Sequence, residues 1–288
     1  MAAADLCRPR PVAPRGAAAV TAPTKDGVYR DFPIDWYHAD RGSLSASAAK
    51  LLLSSPAKYR WRLDNPPEPK PYFEVGSAVH WLLLGQGNEI EIIDAEDWRS
   101  KIAREQRDKA REAGRIPMLG RDHREAVLMR DAVRGHRFAG GLFADGEAEV
   151  SLYATDPATG VRLRARPDWM TQRDGRLWLV DLKTCANADP RDFGRTAYMF
   201  GYHLQMAWYV TVARLLELDP APVFVFVLVE KEPPYLVSVV ELDGEAFALG
   251  CRQMRLAIDT YRACSEWDEW PGYGDGIEPV SLPPWVFR

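Results

Sequence analysis

The segment from Arg164 to Thr184 constrains the fold of this chain more than any other part. Two stretches rich in apolar residues flank the dipeptide Asp174-Gly175. A dipeptide of this kind between two such stretches is typical of a tight β-hairpin turn. We therefore predict two antiparallel strands, with Asp168 in the segment that the turn folds back beside the second strand.

The second strand of this hairpin ends with two charged residues spaced two positions apart. Side chains alternate between the faces of a strand, so Asp181 and Lys183 share one face and Leu182 points into the opposite layer. Because the turn folds Asp168 back beside them, two carboxylates and one ammonium converge. Carboxylate oxygens suit Mg²⁺, and a lysine can orient a water molecule or stabilise charge on a phosphate. By itself an Asp-x-Lys pair at a strand end is more often a solvated surface pair.

These residues also have the order of a known signature. Asp168 follows a proline, and Asp181 of the Asp-x-Lys element comes thirteen positions later. This arrangement resembles the PD-(D/E)xK nuclease signature. Further segments, from Ser45 to Glu241, resemble the RecB-like branch of that superfamily, and most closely the RecE-type (exonuclease VIII) enzymes of prophages. The segments are Ser45-Ala-Ser47, the Gly-x-x-x-His element ending at His80, and the Gln-x-x-x-Tyr element from Gln205 to Tyr209.

The resemblance implies a role for each matched residue. The implied metal ligands are His80, Asp168, Asp181 and the backbone carbonyl of Leu182, and Lys183 is the implied catalytic lysine. Glu149 is an acidic residue on the preceding strand that binds a second metal through water or orients Lys183. Gln205 and Tyr209 are implied to lie near the DNA.

The resemblance also implies a function. It indicates a cytoplasmic Mg²⁺-dependent deoxyribonuclease, with Mn²⁺ as a substitute, that digests linear double-stranded DNA from the 5′ end during recombination. The family further implies a single-strand annealing protein as partner and leaves a homo-oligomer open. Two alternatives remain: an endonuclease of a defence or repair system with the same site, and a catalytically inactive DNA-binding protein.

Ordinary structural roles compete with the assignments on helices. A histidine on an apolar helix, such as His80, is more often a core residue, although Gly76 one turn earlier allows close backbone approach. Gln205 and Tyr209 lie one turn apart and, without the other motifs, would form an ordinary half-buried surface.

The charge distribution gives a separate indication of DNA binding. The net charge is −4, yet residues 99–137 contain twelve Lys or Arg against six Asp or Glu, whereas residues 241–288 contain four against nine. Such segregation presents one positive face to phosphates. We predict DNA contacts for Arg104, Arg107, Lys109 and Arg111. The alternative is a solvated helix stabilised by its own ion pairs, and the two interpretations are compatible.

The order of elements predicts an α/β fold. Helices are expected from Ser45 to Leu63, around His80 and through most of 96–138, followed by strands at 149–155, 161–171 and 176–183. A helix, two further strands and a closing helix complete a sandwich around a mixed sheet. With the resemblance, this is a three-layer restriction-endonuclease-like core with a central mixed β-sheet flanked by helices.

Composition sets the remaining boundaries. We predict a disordered N-terminal tail over residues 1–40, a nuclease domain over 41–265 and a C-terminal tail over 266–288. No apolar stretch reaches the length of a membrane span. The four cysteines, which lie at positions 7, 185, 251 and 264, contain no Cys-x-x-Cys pair, so no iron–sulfur cluster is expected.

Overall fold

The computed structural model describes residues 22–65, 74–274, 276–283 and 286. Within these ranges the strands are β1 (Gly27–Tyr29), β2 (Leu44–Ser45), β3 (Ile90–Ile93), β4 (Ile116–Leu119), β5 (Glu147–Ala148), β6 (Ser151–Thr155), β7 (Arg162–Ala165), β8 (Trp169–Arg173), β9 (Arg176–Cys185), β10 (Val223–Glu230) and β11 (Val237–Val240). The helices are α1 (Ile34–Ala39), α2 (Ala46–Ser54), α3 (Pro56–Asp64), α4 (Glu74–Leu84), α5 (Lys101–Glu112), α6 (Gly120–Gly135), α7 (Ala139–Leu142), α8 (Pro190–Phe200), α9 (Tyr202–Leu215) and α10 (Gly244–Trp267).

The central sheet is mixed and has the strand order β11-β10-β9-β8-β5. Strands β9 and β10 are parallel, and the helices α8 and α9 connect them. Strands β8 and β9 form the predicted antiparallel hairpin, in which Arg173 pairs with Arg176 across a two-residue turn. Asp174 and Gly175 both have positive φ, 51° and 72°, as a two-residue hairpin turn of this hand requires. The predicted hairpin is confirmed.

Helices cover both faces of this sheet and make three layers. Leu177 and Leu179 of β9 pack in the core on the side of α9 and α10, whereas Val180 and Leu182 pack on the side of α4 and α6. Burying a side chain such as Leu179 contributes about 1.5–3 kcal/mol. A one-residue slip of β9 would exchange its two faces and put Asp181 into the apolar layer under α4, so burial specifies the register. The predicted three-layer α/β fold is confirmed.

A second sheet shows that the folded part begins earlier than expected. Its strand order is β1-β6-β7-β2, and β1 pairs antiparallel with β6 within the segment predicted to be a tail. The rings of Phe32 and Tyr37 both pack edge-on against buried Tyr153. Residues 27–39 therefore contribute a strand and a helix, because their aromatic side chains are buried against β6; residues 1–21 of the predicted tail lie outside the described ranges.

Two predicted elements are divided in the structure. The helix expected from Ser45 to Leu63 breaks at Ser55, whose hydroxyl accepts a hydrogen bond from the amide of Lys58 and caps α3. The strand expected over 161–171 separates into β7 and β8, which belong to different sheets. Pro167 lies between them and has no amide hydrogen to continue a ladder, so the chain changes sheets there.

Two observations bear on the expectations drawn from composition. In the described part of the chain, none of the helices combines the length and the apolar content that crossing a membrane would need. Cys185, Cys251 and Cys264 are free thiols, and Cys7 lies outside the described residues.

Candidate active site

Helix α4 brings His80 to the central sheet. A Cβ added at Gly76, one turn before His80, would lie 3.3 Å from the hydroxyl of Thr184, so this glycine lets the helix approach β9 closely. His80 Nε2 lies 3.0 Å from the carbonyl oxygen of Leu182, and His80 Nδ1 lies 3.7 Å from a carboxylate oxygen of Asp168. The predicted helical histidine therefore faces the predicted carboxylate and the predicted carbonyl.

Asp168 is positioned by the backbone of the neighbouring strand. Its carboxylate accepts a hydrogen bond of 2.7 Å from the amide of Leu182, and its carbonyl accepts one of 3.0 Å from the amide of Glu149. Glu149 lies between β5 and β6 with a positive φ of 54°, a conformation that non-glycine residues rarely adopt. This local turn directs the Glu149 side chain toward Asp168.

Arg166 fixes the carboxylate of Glu149. The guanidinium donates to Glu149 through Nε at 2.7 Å, and also to the carbonyl of Phe32 at 2.9 Å and the hydroxyl of Ser151 at 2.6 Å. These bonds leave Glu149 little freedom to move away, because Arg166 is anchored from both the N-terminal segment and β6. A rigid carboxylate is suited to positioning a ligand.

His80, Glu149 and Asp168 form a donor set that fits a divalent cation. One ligand atom from each residue lies within 4.8 Å of the others. Burial, followed by the neighbouring Asp181, raises the pKa of Asp168 to about 8, and burial with the nearby Asp168 raises the pKa of Glu149. Burial lowers the pKa of His80 and keeps its imidazole neutral, the form that binds metal. Crowded carboxylates with raised pKa values indicate a place where a cation would relieve repulsion.

Asp181 is the centre of a second group, which lies next to the donor set. The buried Asp181 carboxylate is ion-paired with Lys183 and accepts a hydrogen bond from the side-chain amide of Gln205 on α9. Burial alone would lower the pKa of Lys183, but Asp181 and then Asp168 offset that effect and raise it. The ammonium therefore stays charged beside the carboxylates. The predicted same-face arrangement of Asp181 and Lys183 agrees with this ion pair.

The structure brings the predicted residues together with one difference in grouping. The donor set joins His80 and Asp168 with Glu149, whereas Asp181 is engaged by Lys183 and Gln205. Metal ligation by Asp181 and by the Leu182 carbonyl, like the catalytic roles, stays a prediction.

The two residues predicted to lie near DNA are bonded to other parts of the protein. Gln205 is only 9% exposed, and the half-buried Tyr209 donates its hydroxyl to the carbonyl of Arg166 at 3.1 Å. Gln205 therefore holds the Asp181 carboxylate, and Tyr209 holds the backbone of Arg166. Direct contact of either residue with DNA stays a prediction.

The predicted DNA-binding cations lie together on α5. Arg104 and Lys109 are exposed. Arg107 is bonded to Asp108 at 2.9 Å, and Arg111 lies 3.7 Å from the same carboxylate. The helix thus forms some of its own ion pairs and still presents positive charge to solvent, so both interpretations of this segment remain compatible.

Three side chains of the site have no counterpart in the predictions from sequence. They are Arg166, which holds Glu149, and Lys50 with Tyr202, which lie beside Lys183: the Nζ atoms of Lys50 and Lys183 are 5.5 and 5.3 Å from the centroid of the Tyr202 ring. Arg166 lies two residues before Asp168, and this spacing could have predicted from the sequence that Arg166 is close to the site. Lys50 is the single charged residue of α2, and its proximity to the site depends on the packing of α2 near α9.

A mixed sheet with an Asp-x-Lys strand, a second aspartate on its hairpin partner and a histidine from a covering helix defines the PD-(D/E)xK class of nuclease fold. The sequence agrees: residues 45–283 match the family model of a PDDEXK-like domain of unknown function, DUF3799. The chain belongs to this family. Among curated proteins, none matches it.

A solved structure shows the same fold. The crystal structure of a protein from Eubacterium rectale named "Putative exonuclease" superposes with a TM-score of 0.61 at 14% identity, covering 88% of this chain and 97% of that one. A phage-related exonuclease from Haemophilus somnus 129PT gives a TM-score of 0.34 at 10% identity, with 79% and 96% covered. With its TM-score above 0.5, the first superposition supports the fold of this chain, and the second carries no argument.

Proposed function

We propose that this protein is a Mg²⁺-dependent deoxyribonuclease that hydrolyses phosphodiester bonds as a 5′-to-3′ exonuclease on linear double-stranded DNA. The observation that carries the proposal is the proximity of two groups of side chains at β9. The donor set of His80, Glu149 and Asp168 lies beside the ion pair of Asp181 and Lys183. One group suits a divalent cation and the other presents a charged ammonium, which is what hydrolysis of a phosphodiester requires.

His80, Glu149 and Asp168 would hold the cation, together with the predicted ligands Asp181 and the Leu182 carbonyl. When bound, Mg²⁺ supplies Lewis acidity toward a phosphate oxygen and lowers the pKa of a ligated water. The side chains of the protein position these groups and supply the remaining charge. Arg166 keeps Glu149 in place.

Lys183 supplies positive charge where the phosphate would lie. Its ammonium is held by Asp181, and Gln205 holds the same carboxylate from the other side. A charged donor fixed in this way can orient the attacking water or stabilise the negative charge that develops on the phosphate oxygens. Because the carboxylate has two partners, Lys183 need not reorganise during the reaction.

The finer parts of the proposal rest on resemblance. The motif order resembles RecE-type enzymes, and the Eubacterium rectale protein of similar fold bears the name of an exonuclease. Both support action at DNA ends. The same resemblance supports a role in recombination beside a single-strand annealing protein, and a cytoplasmic location.

The test compares DNA ends with closed circles. Linear duplex labelled separately at each 5′ and 3′ end, and covalently closed plasmid, are incubated with the protein with and without Mg²⁺. We expect early release of the 5′ label, an intact circle, and no degradation without the cation. Cutting of the circle would assign an endonuclease, early release of the 3′ label would reverse the polarity, and inertness of every substrate with Mg²⁺ or Mn²⁺ would contradict nuclease activity.

A further inference from the structure

A second lysine lies next to the candidate active site. Lys50 of α2 points at the ring of Tyr202 from 5.5 Å, and Lys183 lies over the same ring at 5.3 Å. Among the residues that the structure describes, no carboxylate lies within ion-pair distance of Lys50. A half-buried ammonium without a carboxylate partner, one ring away from the candidate catalytic lysine, can pair with an anion.

We call the junction of α8 and α9, residues 198–203, the elbow. Lys50 lines a cleft at this junction. The cleft has a volume of about 350 Å³, and its lining includes Lys50, Gln253 and all residues of the elbow except Tyr202. Gly201 makes the sharp turn between the helices with a φ of 64°, and a Cβ there would lie 3.1 Å from the Lys50 side chain. The elbow is therefore packed directly against the lysine.

The elbow presents aromatic rings to solvent. Phe200 stacks on Tyr202 with centroids 5.8 Å apart, and Tyr198 stacks on His203 at the same distance. Tyr198, Met199 and Phe200 are 65%, 71% and 62% exposed. His203 Nε2 forms a hydrogen bond of 2.8 Å with Gln253 Oε1. Large apolar side chains at this exposure, backed by fixed rings, form a surface available for stacking.

Rings interleaved with a cation are the features that bind single-stranded nucleic acid, because bases stack on aromatic faces and phosphates pair with ammonium groups. The position of the elbow favours this occupant over a protein partner. Phe200 stacks on the very ring that Lys183 covers, so a strand whose phosphate reaches Lys183 has its neighbouring nucleotide beside Lys50 and the elbow.

We propose that Lys50 and the elbow form a single-strand subsite, in which Lys50 pairs with a phosphate next to the scissile one and Phe200 stacks on an unpaired base. The inference deepens the proposed nuclease function and rests on it. The substrate strand then enters the site separated from its complement, and the enzyme favours ends that are already unpaired.

Binding is tested without added divalent cation, so that no cleavage occurs. Fluorescence anisotropy measures the affinity for a short labelled single strand and for the same strand with an abasic nucleotide placed near its 5′ end. The variants are Phe200→Ala, Phe200→Trp as a stacking rescue, and Leu256→Ala as a control at a similarly exposed apolar residue on α10. We expect Phe200→Ala to lose about tenfold in affinity for the intact strand and almost nothing for the abasic strand, with Phe200→Trp restoring it.

The charge is tested in the same way. Lys50→Gln should weaken binding of both strands several-fold, whereas Lys231→Gln at an exposed lysine should not. Equal affinities of Phe200→Ala and Leu256→Ala for the intact strand would overturn the proposal. So would a change of oligomeric state in Phe200→Ala without any loss of DNA binding, since that outcome assigns the elbow to a protein partner.

A cleavage assay separates the subsite from the nuclease function. With Mg²⁺, Phe200→Ala should slow digestion of a blunt duplex more than digestion of a duplex whose terminal nucleotides are unpaired. Equal slowing on both ends would overturn the subsite and leave the nuclease intact. Absence of cleavage by the unmodified protein would instead contradict the proposed function, and the anisotropy results would still decide whether the elbow binds a single strand.

Discussion

The side-chain amide of Gln205 donates a hydrogen bond to the carboxylate of Asp181, whose other partner is the Lys183 ammonium. Asp181 is 2% exposed and Gln205 9% exposed, so this carboxylate is held in a buried clamp between a helix and its own strand. The clamp explains why a Gln on α9 belongs to the site although it is remote in sequence from the hairpin.

Loss of the clamp should reduce both stability and activity. In Gln205→Ala the buried carboxylate loses one partner, and the free energy of unfolding should fall by about 1.5–3 kcal/mol. The rate of cleavage should fall because Lys183 is then less firmly positioned. Thermal melts and single-turnover rates measure the two effects, with the exposed Gln172→Ala as control. A variant with unchanged melting and unchanged rate would show that the hydrogen bond has no role.

Replacing Lys183 separates chemistry from binding. Lys183→Ala should lower the cleavage rate by about 10²–10³-fold, since a charged donor at the phosphate is removed. DNA affinity should stay within several-fold, because phosphate contacts elsewhere supply most of the binding. Single-turnover kinetics and anisotropy on the same duplex provide both numbers, and Lys231→Ala is the matched control. Near-normal degradation by Lys183→Ala would refute the assignment of this lysine.

Replacing His80 tests the donor set. If His80 is a ligand, His80→Ala should raise the Mg²⁺ or Mn²⁺ concentration for half-maximal activity by about tenfold or more, at an unchanged melting temperature in the absence of metal. A structural histidine would lower the melting temperature and leave the metal requirement unchanged. His123→Ala, a histidine outside the donor set, serves as control.

Charge reversal on α5 tests the positive face. The double variant Arg104→Glu, Lys109→Glu changes two exposed cations and leaves the ion pairs of Asp108 intact. Binding should weaken, and the slope of log affinity against log salt should flatten by about one unit for each phosphate that the variant no longer neutralises. Hydrolysis at saturating DNA should persist. The control reverses two exposed arginines on α10, Arg252 and Arg262; equal effects of both pairs would mean that α5 has no special role.

The charge of Lys50 should make single-strand binding depend on pH. Burial and then the Lys183 ammonium lower the pKa of Lys50 from 10.5 to about 8, against the opposing effect of Asp181; Tyr202 is the other group that faces it. Lys50 is thus charged at neutral pH and loses its proton as pH rises through about 8, so affinity should fall between pH 7 and 9. In Lys50→Arg, whose guanidinium keeps its proton, the affinity should change little over this range. If the affinity of the unmodified protein and that of Lys50→Arg changed equally with pH, the charge of Lys50 would not contribute to binding.

Local chemistry made part of the site predictable. The turn at Asp174-Gly175, the alternation that puts Asp181 and Lys183 on one face, and the glycine one turn before His80 all depend on residues that are neighbours in the chain. Strand period and turn geometry follow from such short-range sterics, so the hairpin and the side-chain directions could be read from sequence.

The packing of distant segments decided the rest. Glu149 joins the donor set through a left-handed backbone conformation and an ion pair with Arg166, which is itself anchored to Phe32. Lys50 reaches the site only because α2 packs near α9.

By itself, the sequence determined the hairpin, its turn and the shared face of Asp181 and Lys183, because those follow from the conformations open to adjacent residues. Which side chains meet across the sheet, and which carboxylate pairs with which cation, was decided by the tertiary structure. Those contacts form between elements separated by many residues, and only the order of the strands and the burial of both sheet faces bring them within reach.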